Sequence, residues 1–171
     1  METLGSLGEL KVIKRIEKAL SRRASSKSGL VADFGEDAAV FKVGKKLVAV
    51  STDMGVSSTH FVSKSPIEIG RKIAVSANTD LLAKGALPRF MWLDFALPPQ
   101  TPAFFVEKLY KGIDVQLAQF NSFLVGGDTN KGKEFCYSAA VFGEIPFKPL
   151  LRKNAVAGNL LVLTGEIGSA A

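Results

Sequence analysis

The sequence predicts an α+β domain: a mixed, mostly antiparallel sheet with helices on one face, leading into the start of a second α+β unit. Three observations carry this. Stretches with apolar residues at three- and four-residue spacing alternate with short apolar runs, in the order helix, hairpin, helix, strand, helix, strand, strand. The strand runs are apolar at both parities, as in Phe90-Met91-Trp92-Leu93, so both faces of the sheet need cover. Beyond Pro146 the pattern resets, and a fresh apolar run, Asn159–Gly165, begins.

Leu4, Leu7, Leu10, Ile13, Ile16 and Leu20 share one helical stripe and predict a helix over 4–24, ended by the polar Ser25-Ser26-Lys27-Ser28-Gly29. Ala38–Val43 and Leu47–Ser51 read as a hairpin joined at Gly44-Lys45-Lys46, with Ser51-Thr52-Asp53 closing its second strand. Met54–Lys64 is a Ser/Thr-rich loop holding the single histidine, His60. In Ser65-Pro66-Ile67-Glu68 an N-cap serine, a first-turn proline and a glutamate three residues after the cap start a helix, which Gly85 stops. Arg89–Leu97 reads as a strand, and Thr101-Pro102 opens a helix reaching Phe120. Phe123–Val125 and Phe135–Glu144 follow as strands, the second folding back on the first. Asn159–Gly165 is expected as a buried strand and Gly168–Ala171 as the opening of a helix, which divides the chain into 1–148 and the start of a further domain, 149–171. A second copy laid over the bare sheet face would make a homodimer.

Composition narrows the function classes. An apolar share of 47% and a charged share of 22% suit a globular protein. The net charge of +6 is spread over separate pairs without interleaved aromatics, which argues against a nucleic-acid platform. Cys136, alone, can form no internal disulfide and reads as a small core residue. No stretch has the length of a membrane span and the N-terminus lacks a signal peptide's apolar core, so the expected location is cytoplasmic.

The chemistry gathers at element ends. Gly126-Gly127 follow an apolar run and let the backbone approach a ligand that a side chain would block, offering amides to phosphates. Asp128 comes next, and Asp37, Asp53 and Asp80 sit at similar exits. Each alone is an ordinary turn former or cap. Together they read as one cluster holding divalent cations against phosphates, with Ser51 and Thr52 adding oxygens. Without cations the cluster would be costly, since like charges ~4 Å apart repel by about 4 kcal/mol at an effective dielectric near ~20. Hard Mg²⁺, which prefers oxygen ligands and is shared with substrate phosphates, suits it.

The ordered motifs Gly35-Glu36-Asp37-Ala38-Ala39-Val40, Ser51-Thr52-Asp53-Met54, His60-Phe61, Ile69-Gly70-Arg71-Lys72, Asp80-Leu81-Leu82-Ala83-Lys84-Gly85-Ala86, Tyr110-Lys111-Gly112, Val125-Gly126-Gly127-Asp128-Thr129, Gly143-Glu144-Ile145-Pro146, Arg152 and Val162-Leu163-Thr164-Gly165 cover nearly the whole chain. As a set they resemble the thiamine-monophosphate kinases of the aminoimidazole-ribonucleotide-synthetase-like superfamily, whose members are about twice as long. The resemblance implies transfer of the ATP γ-phosphoryl to thiamine monophosphate, with Asp37, Asp53, Asp80 and Asp128 on Mg²⁺. It also implies Gly126, Gly127, Asp128, Tyr110 and Arg152 at ATP, and His60 at the acceptor. The chain departs from the pattern at Glu36, where an aspartate is usual, at Thr79 within Asn78-Thr79-Asp80, and at Lys84, where Met is common. Sibling activities on the same scaffold are the selenophosphate-synthetase, hydrogenase-maturation and aminoimidazole-ribonucleotide-synthetase types. A non-catalytic, dimerising nucleotide-binding piece is the alternative of a different class.

Overall fold

The computed structural model describes residues 3–20 and 28–167. One sheet runs in the order β1 (Leu30–Ala32), β2 (Ala39–Val43), β3 (Lys46–Val56), β7 (Cys136–Ile145), β4 (Leu87–Leu97), β5 (Phe123–Gly126), and β6 (Thr129–Lys131) pairs with the far end of β4. The β1–β2–β3–β7–β4 pairings are antiparallel, while β5 and β6 lie parallel to β4. Two helices, α4 (Pro66–Ala83) and α5 (Ala103–Gln119), cover one face and pack on each other. The expected α+β class is what forms.

Local signals placed α4 well. Ser65 precedes the helix in extended conformation, Pro66 opens it, and Gly85 ends it at φ +71°. The capping box does not form, because Glu68 accepts from Ser63 instead of reaching back to the cap. The expected helix over 4–24 is broken at Gly8 (φ +73°) into α1 (Leu4–Leu7) and α2 (Glu9–Ala19); residues 21–24 lie outside the described ones. A further short helix, α3 (Ser57–His60), replaces part of the expected loop.

Partners decide the strands. β3 does not close at Asp53 but continues to Val56, since β7 pairs it residue by residue from Leu47 to Val56. β7 does not fold back on β5. A strand of 10 residues with alternate residues buried needs long neighbours on both sides, which β3 and β4, 11 residues each, supply and the 4-residue β5 cannot. Asn159–Gly165, expected as a buried strand, forms none, and Leu160 is 91% exposed. No described strand pairs with it, and an apolar run without a partner builds no ladder. The helix expected at Gly168–Ala171 lies outside the described residues.

The core lies between sheet and helices. Val40, Ala49, Met91, Leu93, Ala139 and Val141 meet Ile73, Ala77, Leu81, Leu109, Ile113 and Leu117, all but fully buried. Strand period two sends alternate residues of β3 to opposite sides. Ser51 and Asp53, opposite Val141 and Ala139, face the helices, whereas Thr52 and Met54, opposite Ala140 and Ser138, face away. That outer face carries Phe90, Trp92 and Phe142 in contact, with Phe123 beside Phe90 on the next strand. Cys136 is half-buried and free at the start of β7. No described helix is long and apolar enough to cross a membrane.

Candidate phosphate and metal site

Ser51 is the hub. Its Oγ lies 2.9 Å from Asp80 Oδ2 and 3.0 Å from the Asp37 carbonyl oxygen. Its single proton serves one acceptor at a time. In this way β3, the loop before β2 and the last turns of α4 meet at one point. Asp53, two residues along the same face, accepts from Tyr137 Oη at 3.2 Å. Gly55 makes room for that ring, since a Cβ there would come within 2.5 Å of Tyr137 Cε1.

Charge is unevenly settled here. Burial, with help from the Asp37 and Asp53 charges, raises the Asp80 carboxyl above its ordinary value, against the Ser51 hydrogen bond. Asp37 goes the other way, to about 2, because the Arg152 guanidinium and the Lys84 ammonium both bond its carboxylate. Lys84 also holds Glu36 below its usual value. Burial and the Asp53 charge push the Tyr137 hydroxyl well up, so it stays a proton donor.

The expected residues therefore divide. Asp37, Ser51, Asp53, Asp80 and Arg152 come together. Thr52 turns its side chain to the opposite face of the sheet and can offer this cluster only backbone. Asp128 stands further along: its N–H donates to Asp94 Oδ1 at 2.7 Å, and its carboxylate accepts from the Thr129 amide and Asn130 Nδ2. It borders a cleft of about 220 Å³ lined by Met54, Asp94 and Ser138, which open on the sheet face that looks away from the helices. Asp128, expected as a fourth ligand, is therefore not brought to the Asp53–Asp80 cluster on the helix face. Asp94 was not among the expected residues; its signal was a lone carboxylate inside an apolar strand. Gly127 (φ +151°) packs where a Cβ would collide with the Leu93 carbonyl, so its glycine is demanded by the sheet itself. Gly126 lies against Trp92. Tyr110 packs on the core, edge-on to Phe95 at 5.9 Å. His60 points back into its own turn, with Nδ1 3.1 Å from the Val56 amide and 2.7 Å from Thr59 Oγ1.

Beside His60 opens a cavity of about 490 Å³ in which Phe61, Phe105 and Phe135 form an aromatic wall with Lys64, Lys133 and Glu134 among the other lining residues. Phe61 also stands 5.9 Å from the Tyr137 ring, whose hydroxyl bonds Asp53. An aromatic recess thus adjoins the carboxylates. Among the described residues no three acidic, imidazole or thiolate groups converge tightly enough to cage a metal alone. The donors are all hard oxygens, however, and Mg²⁺ completes its shell with phosphates and water. The residues fit Mg²⁺ carried in with a polyphosphate.

Residues 35–145 match the family of AIR synthase related proteins, N-terminal domain. The thiamine-monophosphate kinase of Mycobacterium tuberculosis is 32% identical over 172 residues, which are 99% of this chain and 50% of that protein. The structure of AaThiL complexed with AMPPCP and TMP superposes with a TM-score of 0.75 at 26% identity, covering 84% of this chain and 44% of that one. Thiamine monophosphate kinase from Aquifex aeolicus gives a TM-score of 0.71 at 25% identity over 86% and 45% of the two chains. The chain spans about half the length of the curated relatives it matches.

Proposed function

The chain belongs to the AIR synthase related protein family through that family's N-terminal domain, and from this premise we propose that it supplies the ATP- and Mg²⁺-binding portion of a cytoplasmic thiamine-monophosphate kinase. The observation that carries the reading is the meeting of Asp37, Asp53 and Asp80 around Ser51, next to an aromatic recess. Both reactants are polyanions, so catalysis is a matter of charge neutralisation and in-line placement. Asp53 and Asp80 would hold Mg²⁺ together with substrate phosphates, Asp37 standing beside them, whereas Asp128 stays with Asp94 on the other face of the sheet. When bound, the metal would neutralise charge on the transferred phosphoryl group. Arg152 can leave Asp37 for a nucleotide phosphate, to which its planar donors are suited. No general base is assigned, because the acceptor phosphate is already anionic near neutral pH.

The recess suits the organic part of the acceptor. A thiazolium cation against an aromatic face gains ~0.5–2 kcal/mol. Replacing the ring in Phe61→Leu keeps the bulk and is expected to raise the acceptor KM by about 2- to 30-fold while leaving the ATP KM unchanged. Equal changes in both would remove the recess from the acceptor's path. The outer sheet face, with Phe90, Trp92, Phe123 and Phe142, would be covered by a second copy of the chain. Light scattering should then read twice the chain mass, and a monomer at micromolar concentration refutes the pairing.

The direct test is incubation of the protein with ATP, Mg²⁺ and thiamine monophosphate. Formation of thiamine diphosphate is expected. A folded protein that binds ATP·Mg²⁺ and yields no such product rejects the assignment in favour of a sibling activity.

A further inference from the structure

Lys84 ends α4 and its side chain is 2% exposed, yet its ammonium pairs with both Glu36 and Asp37, the latter at 2.8 Å. The backbone fixes it there. The chain reverses at Gly85, and the Lys84 carbonyl accepts from the Leu150 amide at 3.1 Å. Asp37's other oxygen is taken by the Arg152 guanidinium, and Glu36 also accepts from the Arg152 amide at 3.1 Å. Two carboxylates thus face two cations of the chain itself. A buried ammonium is tolerated only where carboxylates surround it, and this one sits between two, as a metal ion would. Lys84 spans the gap between the two carboxylates, and that gap stays filled when Arg152 leaves Asp37 for a phosphate.

We propose that Lys84 is a resident cation of the site: its ammonium fills the position between Glu36 and Asp37 that a divalent ion would otherwise take, and confines divalent binding to the Asp53–Asp80 side. The consequence is a site that reaches charge balance with one divalent ion fewer, because part of the neutralisation is covalently attached and independent of free metal. The inference rests on reading the cluster as an ATP·Mg²⁺ site.

Counting Mn²⁺ by electron paramagnetic resonance with AMPPCP present tests it. Lys84→Met is expected to bind one more Mn²⁺ per chain than the wild type, and Lys84→Arg the wild-type number. An unchanged count in a Lys84→Met protein with wild-type circular dichroism overturns the proposal. Should that variant fail to fold, the wild type decides through its lysine Nζ resonances. The Lys84 signal, shielded from exchange, is expected to persist at saturating Mg²⁺, and its loss overturns the proposal. A wild type that takes up no nucleotide-dependent Mn²⁺ speaks against the kinase reading, whereas the difference between variant and wild type bears on Lys84 alone.

Discussion

Asp80→Asn is expected to cut kcat by about 10²–10³-fold, the scale of losing one preorganised electrostatic group, and at the same time to make the metal-free protein more stable. Both effects have one cause. Asp80 is held in a half-buried position on α4 beside Asp37 and Asp53, and its carboxyl titrates above the ordinary value, burial being the larger reason. A raised acid binds its proton more tightly in the folded than in the unfolded chain, so stability falls as pH rises from the unfolded pKa through the folded one. At neutral pH the ionised Asp80 therefore opposes folding until a cation arrives. Asparagine keeps the shape and can still accept from Ser51, without the charge. The variant should melt higher than wild type by ~0.5–2 kcal/mol equivalent in the absence of metal. That advantage should shrink as pH is lowered through the raised pKa. Mg²⁺·AMPPCP should raise the wild-type melting temperature and leave that of Asp80→Asn nearly unmoved. Equal protection of both proteins would remove Asp80 from the metal site.

Asp37 behaves oppositely and serves as the contrast. Its carboxyl is lowered to about 2 by Arg152 and Lys84. The stability it contributes is complete above the ordinary carboxylate value and is lost only as pH falls from there towards about 2. One cluster thus holds an aspartate whose charged form burial disfavours and another whose charge the chain itself satisfies.

How much of this could be read from the sequence depended on how local the cause was. The limits of α4 followed from Ser65, Pro66 and Gly85, because caps act within one turn. The length of β3 did not, because it is set by β7, some eighty residues away in the chain. That one error misplaced Thr52. Taken as the end of a strand, Thr52 can share a site with Asp53; inside a strand that continues to Val56, period two sends it to the other face. The grouping of Asp37, Asp53 and Asp80 was legible as a motif set. Lys84 was legible only as a departure, since lysine is almost never fully buried and nothing nearby in the sequence announces Glu36 and Asp37 as its partners. Asp94 and the aromatic recess were missed because each is assembled across strands, Asp94 meeting the Asp128 amide and Phe61 meeting Phe135 and Tyr137.

The placement of Asp80 and Lys84 depends in turn on a contact that carries no chemistry. Where α4 crosses α5, Gly70 lies against the Leu109 carbonyl and Gly112 against the Ile67 carbonyl, so that a Cβ on either glycine would collide with the other helix's backbone. Backbone cannot yield as a side-chain tip can. Gly112→Ala must therefore push the helices apart along their whole contact, and the expected cost is ~3 kcal/mol or more, about 6–12 °C in melting temperature for a chain of this size. Gly5→Ala is the matched control: it lies in α1 with nothing within 4 Å of a new Cβ, and helix propensity alone predicts a gain of ~0.5–1 kcal/mol. Because α4 delivers Asp80 to Ser51 and Lys84 to Glu36 from its far end, a Gly112→Ala protein that stays folded should also lose Mg²⁺·AMPPCP protection. Full protection together with a large loss of stability would mean that the end of α4 is positioned by the sheet and the Glu36–Asp37 loop, independently of the helix crossing.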